Sequence, residues 1–268
     1  MAKNSLDAVN FRREELLRFL ALNQNSTLSD ISSKFGTSEM TVRRDLRVLS
    51  EKGLISKGID NHYSLNCDPA FDPKYFFRYS ANRPKKLAIA EAAAALIPPG
   101  SFLFLDSGTT VLELAKQLAH LDNIFIVTNN LYIPMYISQR PGSIRINFLG
   151  GDVDLPSMST NGTPACKRLE EYHADLAFFS ADGVDLSIGV TTKEYNLIDI
   201  KKAMLSHAEK RILLVDSSKM NACSIQVLAS LEEIDTLVTD WEVPAATLAQ
   251  LRDIIPQVIV AQPKGSNS

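Results

Sequence analysis

Asp106-Ser107-Gly108-Thr109-Thr110 follows a short apolar run and opens a helical one. A loop of that kind gathers hydroxyls and unpaired backbone N–H groups at a helix start. The helix dipole favours an anion there, and the glycine allows close approach. Alone, the segment equally describes a plain capped turn. Two further loops, Thr128-Asn129-Asn130 and Gly150-Gly151, each end a predicted strand. Ligands of open α/β sheets bind outside the carboxyl ends of the strands, so three such loops predict a binding site. Later in the chain, the stretch from Ser180 through Asp182, Gly183 and Asp185 to Lys193 and Glu194, and the run Asp216-Ser217-Ser218-Lys219, supply charged side chains in two more loops.

A different chemistry lies nearer the N-terminus. In the run from Thr37 to Leu49, Val42, Leu46 and Leu49 recur at i, i+4 and i+7 and form one apolar face. Glu39, Thr41, Arg43, Arg44 and Arg47 fall mostly elsewhere. A DNA-recognition helix needs this division: the inner face packs, while the outer face offers Arg to guanine edges or phosphates and Ser or Thr to phosphates and bases. An isolated Arg-Arg pair is ordinarily a solvated basic face. Here it sits on the second helix after a short turn, behind the N-cap residue Ser38 and ahead of a hairpin. Asp45 reads as an internal partner that orients an Arg, because a carboxylate facing phosphate would repel it.

The elements that must position these groups can be placed along the chain. Residues 11–22 carry apolar side chains on roughly one helical face. Thr27, with Asp30 three residues on, caps a helix over 28–35, and Ser38 caps another over 39–52 that ends at Gly53. Two β-like pieces, 54–56 and 62–65, flank Gly58, Asp60 and Asn61 and predict a hairpin. Residues 67–84 read as a linker in which Asp68-Pro69, Asp72-Pro73 and Arg83-Pro84 interrupt any helix. Its aromatics Phe71, Tyr75, Phe76, Phe77 and Tyr79 predict that it packs on something. From Lys85 onward helices and strands alternate. Helices are expected over 85–96, 111–121, near 132–139, over 198–208 and over 245–254. Strands are expected over 102–105, 124–128, 144–149, 176–180, 212–215 and 237–239. The alternation implies an α/β domain with a mainly parallel sheet and helices on both faces. The expected division is a DNA-binding domain over 1–66, a linker over 67–84 and an α/β domain over 85–268.

Composition narrows the function classes. Residues 1–66 carry ten Lys/Arg against eight Asp/Glu, while the rest carries eighteen against twenty-three. A mildly basic head on an acidic body suits a head that meets phosphates. Cys67, Cys166 and Cys223 have neither pairing nor metal spacing and read as reduced cytosolic thiols. No apolar run approaches the roughly 18 residues of a membrane helix, and residues 1–22 lack a signal-peptide core. The expected location is cytoplasmic. His62, His120, His173 and His207 are scattered, so no metal site is expected. Ser217 and Ser218 lack a nucleophile-elbow setting. No Walker or dinucleotide glycine fingerprint appears, and no cofactor is expected.

The run Ser38-Glu39-Met40-Thr41-Val42-Arg43-Arg44-Asp45-Leu46, followed by Leu49-Ser50-Glu51-Lys52-Gly53, resembles the signature of the DeoR family of sugar-catabolism repressors. The five later loops recur in order in that family's sensor domain, so the resemblance extends to about Asp240. It implies a winged helix-turn-helix with Ser38, Thr41, Arg43 and Arg44 at the DNA, joined by the outward Arg47. The family's wing often holds Arg followed by His-Gly-Gly-Ala. Here Ser56-Lys57-Gly58-Ile59-Asp60-Asn61 stands instead, which leaves Lys57 as the wing's contact.

The sensor fold implied is similar to ribose-5-phosphate isomerase and the CoA-transferase group. By that resemblance Ser107, Gly108, Thr109 and Thr110 hold a phosphate, and Asp106, Thr128, Asn129, Gly150, Gly151 and Gly183 frame the pocket. Asp182 and Asp185 lie near sugar hydroxyls. Lys219 supplies a cation oriented by Asp216, and Lys193 is a second cation. The plainer alternatives are a strand-end Asp216 paired with Lys219, and a solvated Lys193–Glu194 pair. The expected protein is a repressor of a sugar-catabolism operon. It binds a double-stranded DNA operator as a homo-oligomer and responds to a phosphorylated sugar.

The alternative is a sugar-phosphate isomerase with an appended head, since Asp182-Gly183-Val184-Asp185 looks like the isomerase's Asp-Gly-x-Asp. The isomerase follows its carboxylates with a Lys and a run of glycines, and Leu186 to Lys193 lack that run. A CoA-transferase would need a Glu nucleophile in a glycine-rich setting, which Glu194 does not have.

Overall fold

The computed structural model describes residues 9, 11–13, 15–17, 19, 20, 23, 25–51, 54–66, 73–118, 121–139 and 144–263. They divide into two units, Met1–Ala81 and Asn82–Ser268.

In the first unit the described residues from 11 to 20 are helical and bury Leu16, Leu17 and Leu20. Helix α1, Leu28–Phe35, starts in a reciprocal cap. The Thr27 hydroxyl accepts from Asp30 N at 3.2 Å, and the Asp30 carboxylate accepts from Thr27 N at 2.8 Å. Helix α2, Glu39–Glu51, turns Val42, Leu46 and Leu49 onto the same core. Strands β1, Ile55–Lys57, and β2, Tyr63–Leu65, pair antiparallel with Ile55 opposite Leu65. Tyr63 also exchanges backbone hydrogen bonds with Ser26, which ties the hairpin to the start of α1. Gly53, expected to end the third helix, lies outside the described residues.

The linker reading needs a correction. Pro73 begins a helix, α3, Pro73–Ser80, and Pro84 is the second residue of α4, Arg83–Ala94. Both prolines stand where a helix has no use for the missing N–H, so they start helices rather than stop them. Tyr75 is fully buried and Phe77 packs against the first unit's core. Residues 67–72, with Cys67 and Phe71, and the side chain of Phe76 lie outside the described residues.

The second unit is built on a seven-stranded parallel sheet. Its strands are β3 (Phe102–Leu105), β4 (Phe125–Thr128), β5 (Arg145–Phe148), β8 (Ala174–Phe179), β11 (Ala208–Leu214), β13 (Thr236–Asp240) and β14 (Gln257–Ala261). Their order is β14-β13-β11-β8-β3-β4-β5. Helices α5 (Thr109–Leu118) and α6 (Tyr132–Ile137) carry the chain from β3 to β4 to β5. The chain then returns to lay β8 on the other side of β3, so the strand order reverses between β3 and β8. Side chains alternate across the sheet. Phe104, Val127 and Ala177 pack under α7 (Thr163–Leu169) and α8 (Ile198–Ser206). Helix α4 packs on α5 and on β11, β13 and β14. Helix α9, Ala245–Ile254, closes a second core with Leu213 and Leu237.

Periodicity did not reveal a hairpin of β6 (Asp152–Asp154) and β7 (Ser159–Asn161), or a small antiparallel sheet. That sheet consists of β9 (Gly183–Asp185), β10 (Gly189–Thr192) and β12 (Gln226–Ala229). These strands are three or four residues long, too short to display a period. Among the described residues no helix is long and apolar enough to cross a membrane.

Candidate nucleic-acid interface and ligand site

Helix α2 separates its residues as a groove-reading helix must. Arg43, Arg44 and Arg47 are exposed, and so is Ser38 at the cap. The Ser38 hydroxyl accepts from Thr41 N at 3.3 Å and shares a hydrogen with the Thr41 hydroxyl at 3.0 Å. Arg47 leans toward Glu51 at 3.7 Å, an exposed pair worth little. Among the described residues Arg43 and Arg44 have no ion-pair partner, so their five-donor forks remain available. Asp45 points inward. Its two oxygens take Arg12 Nε at 2.7 Å and Arg13 Nε at 2.8 Å, which clamps α2 to the preceding helical residues. Lys57 is exposed on β1, with its ammonium over the Tyr63 ring.

In the second unit the loops meet where the strand order reverses. Asp106 leaves β3 and Ser180 leaves β8, and Asp106 Oδ2 accepts from Ser180 N at 3.2 Å. That crevice, at the carboxyl ends of two neighbouring strands that lead opposite ways, is where α/β sheets bind ligands. Gly108 touches Ser180 so closely that any Cβ there would lie 2.8 Å from the Ser180 Cβ. The glycine is required by packing as well as by access. Thr109 opens α5, and its hydroxyl receives Lys86 Nζ at 3.0 Å. Ser107 and Thr110 are buried beside it.

Thr128 is spent internally, donating to Leu105 O and accepting from Asn130 N. Asn129 donates to Thr160 O at 3.0 Å, while its Oδ1 is buried with no hydrogen-bond partner among the described residues. An acceptor in that condition is costly unless something donates to it. Gly150 and Gly151 lead from β5 into β6.

The centre of the cluster is a lysine that sequence reasoning missed. Lys201, on α8, is fully buried and stands 2.6 Å from the equally buried Asp106 and 3.8 Å from Glu194. It also donates to Ser180 O at 3.2 Å. Burial pushes its ammonium toward deprotonation, but Asp106 and Glu194 outweigh that and hold it above the ordinary lysine value. Burial acts the other way on Asp182 and pulls it upward. Lys193, whose ammonium is 3.5 Å away and whose N–H donates at 3.0 Å, together with Lys219 and Lys201, brings it below the ordinary 3.8.

Both overlooked lysines left the same trace in the sequence. Lys86 falls in the stripe 86, 89, 90, 93, and Lys201 in the stripe 198, 201, 205, each otherwise apolar. A charge inside a core-facing stripe requires a buried partner.

Two expected pairings are not made, and Asp185 is engaged within its own turn. Asp216 does not orient Lys219. Its Oδ1 caps the next turn, accepting from Ser218 N at 3.0 Å, from the Ser218 hydroxyl, and from Asn82 Nδ2 at 3.1 Å. Lys219 is left with no ion-pair partner among the described residues. Lys193 and Glu194 do not pair with each other but diverge, one to Asp182 and the other to Lys201. Asp185 uses its Oδ1 within the β9–β10 turn, on Ser187 N, the Ser187 hydroxyl and Ile188 N. Gly183 opens β9 beside Asp182.

Comparison with known proteins fits both units. Residues 12–60 match the DeoR-like helix-turn-helix domain, and residues 81–241 match the DeoR C terminal sensor domain. The chain is 30% identical over 252 residues to a putative aga operon transcriptional repressor of Escherichia coli O157:H7, covering 93% of each chain. It is 29% identical to the HTH-type transcriptional regulator GolR of Listeria innocua, over 94% of this chain and 98% of that one. Among solved structures, ribose 5-phosphate isomerase A of Methanocaldococcus jannaschii aligns with 52% of this chain and 55% of its own, at 21% identity and a TM-score of 0.39.

Proposed function

The chain belongs to the DeoR family of transcriptional regulators, and from that premise we propose that it is a repressor whose hold on an operator is set by a phosphorylated sugar in the second unit. The observation that carries the effector reading is Lys86 Nζ on the Thr109 hydroxyl at the start of α5. A buried cation, the backbone N–H groups of a helix start and the dipole of α5 coincide there, and together they favour a phosphate. In this reading Lys219 at the rim adds a second cation, Asn129 Oδ1 accepts from a sugar hydroxyl, and Asp182 accepts from another. Ser38, Thr41, Arg43, Arg44, Arg47 and Lys57 face the DNA. Because one helix-turn-helix reads only a half-site, the proposed working form is at least a dimer.

The electrostatics favour binding over proton transfer. An efficient general base titrates near neutral pH. Asp182 is held below the ordinary carboxylate range, and Asp106 is closed against Lys201. The test is fluorescence anisotropy of a labelled fragment from the promoter beside the gene. It is run with and without ribose 5-phosphate, glucose 6-phosphate, fructose 6-phosphate and fructose 1-phosphate. A shift in affinity by one of them is expected. Retained DNA binding with no shift removes the effector reading, and no binding at low salt removes the whole proposal.

A further inference from the structure

The second unit begins at Asn82, directly after the last residue of the DNA-reading unit. Its first helical turn reaches two ligand-facing loops at once. Asn82 Nδ2 donates to Asp216 Oδ1 at 3.1 Å and to the Ser218 hydroxyl at 3.2 Å. Lys85 Nζ donates to the Ser217 hydroxyl at 2.8 Å and to Glu242 at 2.6 Å. Lys86, one residue on, holds Thr109 in the other loop.

The far side of the 216–222 segment lies on the strand that follows Asp182. Met220 bridges Val184 in parallel fashion, and the Ala222 carbonyl packs against Gly183 where no Cβ would fit. Ser224 N adds a hydrogen bond to the Thr191 hydroxyl at 2.9 Å. One short segment therefore spans from the proposed sugar-reading carboxylate to the first residue after the head.

Asn82 is itself in the left-handed region, at φ 53°. Asn tolerates that conformation better than most residues, though it is strained for any L-residue. Its two side-chain hydrogen bonds hold it there. Released from them, it can relax to negative φ and redirect the chain that enters from the head. Hinges are a few residues at element ends that absorb such a change.

We infer that Asn82 is the positioning residue through which effector occupancy reaches the DNA-reading unit, by way of its hydrogen bonds to Asp216 and Ser218. This rests on the regulator reading above. A ligand that draws Lys219 toward its phosphate or engages Asp182 moves the 216–222 segment, and with it the bonds that set the conformation of Asn82.

The test uses the full chain and Asn82→Gly, which keeps the left-handed backbone accessible and deletes only the side-chain bonds. Wild-type protein is first titrated with the four sugar phosphates named above. If none shifts its operator affinity, the effector reading fails and this inference with it, before any variant is made. With the compound that does shift it, allosteric coupling spans about 5–150-fold. Asn82→Gly is expected to bind operator without effector, and effector by calorimetry, within about 3-fold of wild type, while the coupling collapses below about 2-fold. Ser218→Ala, which removes one of the same bonds from the loop side, is expected to lose part of the coupling and serves as the measure if Asn82→Gly does not fold. Full coupling in either folded variant overturns the inference. Hydrogen exchange gives a second readout: effector should change protection at 82–86 together with 216–219 in wild type, and at 216–219 alone in Asn82→Gly.

Discussion

Replacing Lys201 by Met removes the cation from Asp106, a carboxylate with no exposed surface. The lost partner stands 2.6 Å away, and among the described residues Ser180 N at 3.2 Å and the Ser107 hydroxyl at 3.3 Å remain to Asp106. Breaking a buried pair by removing one partner costs about 3–5 kcal/mol, because the other charge is left uncompensated. For a unit of this size each kcal/mol moves the thermal midpoint by about 2–4 °C, so a fall of about 6–20 °C is expected. Asp106→Asn should cost less, because Lys201 keeps Glu194 at 3.8 Å. The double change Asp106→Leu with Lys201→Met replaces both charges by apolar groups and should recover most of the loss.

The pH dependence follows from the sign of the lysine's shift. A group whose folded value is raised stabilises the fold below its unfolded value and loses that contribution only as pH rises through the folded one. The lysine's own contribution is therefore constant up to about pH 9 and falls only above that. Calorimetry of the three variants and wild type is the assay. A midpoint for Lys201→Met within about 2 °C of wild type, or a double variant no more stable than Lys201→Met, would refute the buried pair.

Three further outcomes are expected. Arg43→Ala and Arg44→Ala should each weaken operator binding. A residue on phosphate lowers the slope of log affinity against log salt by about 1, whereas one on a base edge costs about 1–3 kcal/mol and relaxes one position of the operator; anisotropy at several salt concentrations separates the two, and an unchanged affinity in both variants removes α2 from the interface. Gly108→Ala forces its new methyl against Ser180 and should abolish the response to effector, with Ser180→Gly restoring part of it in the double variant; a full response in Gly108→Ala would place the ligand elsewhere. Cys166, whose thiol is pushed up by burial and by the Asp199 and Glu170 carboxylates, should alkylate more slowly near pH 8 than the exposed Cys223. Peptide mass spectrometry after timed iodoacetamide treatment measures both sites, and equal rates would contradict the burial.

The DNA-reading unit was legible because its signals are local. A cap at Thr27, a cap at Ser38 and one apolar face on α2 all act within a few residues of one another. The inward turn of Asp45 was readable too, although which arginines it meets depends on the fold. In the second unit the loops at strand ends were visible and the pairings were not. Lys201 meets Asp106 across 95 positions, and Asn82 meets Asp216 across 134. Such contacts depend on which strand lies beside which, and the alternation of elements does not encode that. Asp216 shows the limit of reading neighbours in sequence. Lys219 is three residues away, yet the carboxylate is taken by the turn that lies between them.

The reversal of strand order between β3 and β8 also sets when the pocket can exist. Ser107 to Thr110 leave the ribosome long before Ser180, and Lys201 follows later still. A β3 loop without β8 beside it has neither the Ser180 amide nor the Lys201 ammonium for Asp106. Contacts at such separation require loop closure before they stabilise anything, so they form late in folding. The DNA-reading helix is complete by Glu51 and needs none of them. A growing chain thus has the means to meet DNA well before it can sense a ligand. An effector that binds only the finished sensor then acts on folding as well as regulation, since it stabilises the native state in proportion to the logarithm of its concentration.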